Sequence, residues 1–242
     1  MEDFIKDYID GMAIKDIQDK YNMSTGRVYY TLNKLGIENR GKLHRYNNPF
    51  IVDSPERDYW LGWIFSDGHV GSYNNRVYQV YLACLDIDIL IKFKNFCGER
   101  AKLSKFYYTT PVSKERKEMY KVSIYSKELV NYFKENYNIE SNKASSLNPS
   151  IQLNWNIMRG LYDGDGSFKK GVVITSMSEK WINKIKRFYE SNNLHYTCTY
   201  DTGYRLGIYR REDIIKVFHH LYDNTDLYLE RKRLDLSRLA IE

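Results

Sequence analysis

"RGLYDGDGSF", residues 159–168, sets two acidic side chains and three glycines behind an apolar, helix-like run. A looser copy, "LGWIFSDGHV", lies upstream at residues 61–70. Gly62 and Ser66 are four residues apart, as are Gly160 and Gly164. Small residues at that spacing share one helix face and let two backbones approach closely. A glycine inside a helix costs about 1 kcal/mol relative to alanine. The matched small residues therefore predict a compensating contact, with the two motif helices crossing on a pseudo-twofold axis.

Each copy ends on an aspartate followed by glycine: Asp67 with Gly68, and Asp165 with Gly166. The spacing places each carboxylate in the last helical turn, with the glycine at the position that follows the cap. A carboxylate there faces the negative end of the helix dipole. Where the helices cross, two such carboxylates also repel one another. One Asp-Gly pair is explained by a turn before a strand. Two in matching positions point instead to a divalent cation, which reverses the sign of every unfavourable contribution. Hard oxygen ligands joined by phosphate oxygens give magnesium-type coordination.

The segments downstream follow in step. "VYLACLDIDILIKFKNFC" (80–97) aligns with "VVITSMSEKWINKIKRFY" (172–189), and "YKVSIYSKELVNYF" (120–133) with "YRLGIYRREDIIKVF" (204–218). Each half reads helix, two strands, helix, two strands, helix. The expected fold is α+β, a tandem αββαββα repeat over residues 51–147 and 148–242. Tyr120, Val122 and Ile124 alternate with Lys121, Ser123 and Tyr125, and the second copy alternates likewise around Arg205 and Tyr209. Period two predicts one face packed on helices and one exposed. Lys121, Tyr125, Arg205 and Tyr209 fall on the exposed face, and Lys105, Tyr107, Lys169 and Thr175 are candidates to extend it. Such a sheet is suited to lie in a DNA major groove, although each residue taken singly also fits an ordinary solvated face.

Residues 1–37 read as short helices. Phe4, Ile5, Tyr8 and Ile9 recur at helical spacing, Ile14 and Ile17 mark a second helix, and Ser24 is an N-cap for a third with Val28, Leu32 and Leu35 as its stripe and Gly36 as its stop. The pattern is that of a helix-turn-helix, with a helical hairpin that only packs as the alternative. A reading helix would present Gly26, Arg27, Tyr30, Asn33 and Lys34. Residues 38–50, "ENRGKLHRYNNPF", have no periodicity and an excess of basic over acidic side chains, which predicts a linker.

A net charge of +6, with 37 basic and 31 acidic residues, tilts the balance toward a polyanionic partner. Three scattered cysteines form no paired metal or disulfide pattern and fit a reducing cytoplasm. No apolar run reaches membrane-spanning length, and the acidic start is unlike a signal peptide. The expectation is a soluble intracellular protein. No P-loop, H-E-x-x-H or G-x-S-x-G motif is present.

"WLGWIFSDG" (60–68) and "MRGLYDGDG" (158–166) resemble the paired motifs of the single-chain LAGLIDADG homing endonucleases. The resemblance covers roughly residues 50–240. It implies that Asp67 and Asp165 are catalytic and bind the metal, in a site that includes Gly68 and Gly166. It places Gly62 and Gly160 at the helix crossing, an interface that the spacing extends to Ser66 and Gly164, and the two sheets on DNA as a saddle. Motif 1 carries Phe65 where motif 2 has Asp163, a position that is not a ligand in the family, so Asp163 is taken as structural. Family members often carry a lysine after the last helix of each half, and Lys143 and Lys232 match that place, with Arg231 and Arg233 as neighbours. The implied protein is a monomer that cuts both strands of a long asymmetric duplex site with Mg2+, or with Mn2+ or Ca2+ in its place, leaving short 3′ overhangs. A non-cleaving DNA-binding regulator and an RNA-splicing maturase on the same fold are the rival readings.

Overall fold

Ser24 accepts a hydrogen bond from the Arg27 amide and starts the third of three short helices, α1 (Asp3–Ile9), α2 (Ile14–Tyr21) and α3 (Thr25–Lys34). The computed structural model describes residues 3–10, 12, 14–37, 48–74, 77–109, 115–139 and 147–241, and the chain divides into two units, Met1–Asn47 and Asn48–Glu242. In the first unit Phe4, Ile5, Tyr8, Ile17, Val28 and Leu32 form a core of their own. Asp7 accepts hydrogen bonds from Lys20 Nζ (2.7 Å) and Tyr21 Oη (2.5 Å), tying α1 to α2. Gly36 takes a left-handed φ of 68° and stops α3. Leu35 and Ile9, expected in the stripes, are exposed, and Ile37 packs on the core instead because the chain turns at Gly36. Residues 38–47 of the expected linker lie outside the described residues. Its last residues belong to the second unit: Phe50 is fully buried against Phe96 and Phe133.

The second unit runs α4 (Pro55–Phe65), β1 (His69–Tyr73), β2 (Val77–Cys84), α5 (Ile87–Cys97), β3 (Lys102–Thr109), β4 (Arg116–Tyr125) and α6 (Lys127–Tyr137). It continues with α7 (Trp155–Asp165), β5 (Val172–Ser176), α8 (Glu179–Ser191), β6 (Thr197–Tyr200), β7 (Tyr204–Ile208), α9 (Arg211–Tyr222) and α10 (Glu230–Ile241). One antiparallel sheet has the order β1-β2-β4-β3 and the other β5-β7-β6. The counterpart of β1 in the second half is reduced to a single bridge between Ser167 and Val173. The reason is length: the turn through Lys169–Gly171 is too short for a ladder, and Phe168 turns into the core.

Strand register repeats between the halves. Val80 pairs with Ile124 and Leu82 with Val122, while Val172 pairs with Ile208 and Ile174 with Leu206. These residues are buried on the face that carries the helices. One lysine ties the halves together and another closes the entry to the second half. Lys92 Nζ donates to the Asp226 carbonyl (2.8 Å), and Lys184 Nζ donates to those of Pro149 (2.5 Å) and Ile151 (3.1 Å).

Candidate active site

The motif helices α4 and α7 cross in the middle of this unit. A Cβ on Gly62 would overlap the Ile157 carbonyl oxygen and lie 2.6 Å from the Leu161 nitrogen; one on Gly160 would overlap the Tyr59 carbonyl oxygen. Further along, a Cβ on Gly164 would overlap Ser66 Oγ and lie 3.4 Å from Asp67 Oδ2. Ser66 itself is buried and donates to the carbonyls of Gly62 (3.2 Å) and Trp63 (3.1 Å). The four small residues are thus the contact surface of the crossing, and they bring the Asp67 carboxylate beside the residue that precedes Asp165. Both aspartates are exposed.

Neither following glycine is at positive φ, although that position after a helix cap commonly is. Gly166 has φ −68° and ψ 150°, and Gly68 is likewise not at positive φ. They are required for space: a Cβ on Gly68 would lie 2.5 Å from Ile64 Cα, and one on Gly166 2.5 Å from the Tyr162 carbonyl oxygen. Asp165 closes α7, whereas Asp67 lies just past α4, which ends at Phe65.

Asp163 is fully buried between the halves. It accepts hydrogen bonds from Tyr59 Oη, Tyr222 Oη and the Leu229 amide, each 2.8 Å long. Burial pushes its carboxyl up to about 6 against the pull of those donors. Its counterpart Phe65 fills the equivalent place with an aromatic contact to Tyr137 and Trp181. One half fastens this position with an aromatic ring and the other with a polar hub.

Lys232, at the start of α10, is buried and donates to the Gly166 carbonyl oxygen, with its ammonium 5.8 Å from the Phe168 ring centre. Burial, with Arg231 next, lowers its pKa, while Asp163, Asp235 and Asp67 oppose that shift. It therefore stands at the exit of motif 2 within electrostatic reach of Asp67. Arg231 Nε donates to Asp86 Oδ2 (3.0 Å) across the halves, and Arg233 lies 3.5 Å from Glu230. Lys143 lies outside the described residues.

A cleft of about 550 Å³ opens beside Asp165, lined among others by Ser66, Thr175, Met177, Trp181 and Arg205. The register settles which side chains share the open sheet faces, because paired residues in an antiparallel ladder point the same way. Lys121 pairs with Ser104 and Tyr125 with Gln79, and their face also carries Tyr81, Phe106 and Tyr108. Lys121 Nζ sits 5.2 Å from the Tyr81 ring, which stacks on His69 at 4.7 Å. In the second sheet Arg205 shares its face with Thr175 and Thr199, and Tyr209 covers Gly207. Lys169 is exposed in the turn before β5.

Lys105 and Tyr107 do not extend this face. They pair with Tyr120 and Glu118, on the side of Val122 and Ile124, and Lys105 forms an ion pair with Glu118 (2.5 Å). The register across β3 and β4 decides this, and the sequence of β3 alone does not specify it. Sequence reasoning also missed Ser104, Phe106 and Tyr108, which the same alternation identifies once the register is known. In the first unit Arg27, Tyr30, Asn33 and Lys34 all lie on the exposed surface of α3.

The donor types fit a hard divalent cation: the Asp67 carboxylate lies beside Gly164, the residue before Asp165, and the glycines there leave room that side chains would fill. Among the described residues no group of three or more His, Cys, Asp or Glu side chains could hold a metal ion. No described helix is long and apolar enough to cross a membrane.

Comparison with family models and with curated sequences returns no match. Solved structures do match. The chain is similar to the homing endonuclease I-WcaI bound to its DNA recognition sequence, with 10% identity and a TM-score of 0.55 over 75% of this chain and 85% of that one. It is similar to I-DmoI in complex with DNA and Ca, with 18% identity and a TM-score of 0.51 over 76% and 96%. The LAGLIDADG meganuclease I-AabMI bound to uncleaved DNA matches with 12% identity and a TM-score of 0.51 over 78% and 90%. The architecture of this chain is that of the LAGLIDADG homing endonucleases.

Proposed function

We propose that the protein is a sequence-specific, metal-dependent endonuclease that cuts both strands of duplex DNA. The observation that carries this reading is the crossing of α4 and α7, which puts the Asp67 carboxylate beside Gly164, the residue before Asp165. Like charges brought together at the negative ends of two dipoles destabilise a protein that has no cation to hold. Asp67 and Asp165, with the backbone at Gly68 and Gly166, would hold divalent metal, magnesium or in its place manganese or calcium. Bound there, it supplies positive charge to the phosphate and to the attacking and leaving oxygens.

The chain's own groups do the rest. Lys232 places a cation beside motif 2 that offsets phosphate charge, and Lys143 has the corresponding part in the first half. Two adjacent carboxylates serve two strands only if the scissile phosphates are also close. The minor groove, about 6 Å wide against about 12 Å for the major, meets that condition. Cuts across it leave 3′ overhangs.

The open faces carrying Lys121, Tyr125, Arg205 and Tyr209 bind the flanking duplex on either side. Their compositions differ, so a single chain acting as a monomer reads an asymmetric site. Residues 1–37 add a helix-turn-helix contact through Arg27, Tyr30, Asn33 and Lys34. The short Asn22–Ser24 turn and the exposure of those four side chains support it.

The test is incubation of the purified protein with Mg2+ and a randomised duplex library, followed by sequencing of the ends. Discrete cuts in one long sequence with 3′ overhangs are expected. Bound but uncut DNA would favour the regulator and overturn the nuclease.

A further inference from the structure

Two large apolar side chains stand exposed at matching places in the two halves, Leu85 at 54% and Met177 at 53%. Each comes directly after the strand that follows its motif, β2 or β5, and directly before the N-cap of a helix, Asp86 or Ser178. Each also continues an open-face alternation: Tyr81, Ala83, Leu85 in one half and Val173, Thr175, Met177 in the other. The register carries both toward the aspartates. His69 pairs with Tyr81, so the chain beyond Tyr81 runs back alongside the end of α4; the Ser167–Val173 bridge does the same beside α7. Two further observations agree. Met177 lines the cleft that contains Asp165, and the thiol of Cys84, next to Leu85, feels the charge of Asp67.

An exposed leucine alone is ordinary. A matched pair beside the two aspartates, on the faces assigned to DNA, calls for a partner surface at the centre of the site. The sugars and base edges of the minor groove supply one. Apolar wedges from proteins enter that groove, part a base step and kink the duplex, most cheaply at flexible pyrimidine–purine steps.

We propose that Leu85 and Met177 are a pair of apolar wedges that enter the minor groove between the two cut positions and unstack base steps there, which bends the duplex so that both scissile phosphates reach Asp67 and Asp165. They are positioning residues, and the wedge sets a preference for flexible central steps. The inference rests on the endonuclease reading.

The test uses the full chain and a duplex recovered from the library selection, with 2-aminopurine at the central steps and Ca2+ in place of Mg2+. Wild-type protein is expected to raise 2-aminopurine fluorescence on binding. Leu85→Ala/Met177→Ala is expected to keep its thermal melting point and to bind within a few-fold, because phosphate contacts carry affinity, while losing the rise and cutting more slowly. Leu85→Met/Met177→Leu is expected to restore both. A wild-type complex that binds and cuts with no fluorescence rise, or an alanine variant that retains the rise, overturns the wedge and leaves the nuclease standing. A wild-type protein that selects and cuts no duplex overturns both.

Discussion

Gly62 and Gly160 hold the two halves together by what they lack. Each faces backbone of the other's helix, Ile157 to Leu161 for Gly62 and Tyr59 to Trp63 for Gly160, with no space for a Cβ. Backbone cannot swing aside as a side-chain tip can. Gly62→Ala and Gly160→Ala are therefore each expected to destabilise the protein by about 3 kcal/mol or more, despite the gain in helix propensity, as read by urea unfolding. Gly26→Ala in α3, where nothing lies within 4 Å, serves as the control.

Asp163 gives a stability signature with a definite sign. Its carboxyl titrates at about 6 in the folded protein, above its ordinary 3.8, because burial outweighs its three donors. The folded state thus binds a proton that the unfolded chain has released. This contribution to stability is full at about pH 4 and is lost as pH rises through about 6, amounting to about 3 kcal/mol. Asp163→Asn is expected to remove that slope from the metal-free melting curve between pH 4 and 7. Asp163→Ala orphans Tyr59, Tyr222 and the Leu229 amide, and is expected to destabilise by about 2–4 kcal/mol at any pH.

The sheet faces separate two cationic positions by their salt dependence. Arg205 lies on the open face with Thr175 and Thr199, whereas Lys105 lies on the opposite face, paired with Glu118. Arg205→Ala is expected to lower the slope of log affinity against log salt by about 1. Lys105→Ala is expected to leave it unchanged. Filter binding from low to moderate salt reads both.

Much of this architecture was legible because the chain states it twice. Val80 and Val172, or Ile124 and Ile208, occupy matching registers, and local alternation alone aligned them. Ser24 and the crossing glycines were legible for a similar reason, since each is demanded by one local geometry. What escaped depends on longer range. The face of Lys105 follows from a register that its own strand does not encode. The single bridge at Ser167 follows from a short turn, and the burial of Phe50 from partners at Phe96 and Phe133 far along the chain. Lys92 reaches a carbonyl across the halves and Lys184 one at the entry to its own half, roles with no signature in sequence. At the candidate site, the repeated Asp-Gly pairs stand out in the sequence itself, whereas the matched exposure of Leu85 and Met177 shows only in the fold.

Cleavage by the aspartate variants tests the central claim most directly. Asp67→Asn and Asp165→Asn keep the side-chain size at exposed positions and remove one charge each, so both proteins are expected to fold and bind the selected duplex. With Mg2+ present, the account predicts that each loses double-strand cleavage while gel-shift affinity is retained. Double-strand cleavage at the wild-type rate by either variant would contradict the assignment of Asp67 and Asp165 as the paired carboxylates of the site.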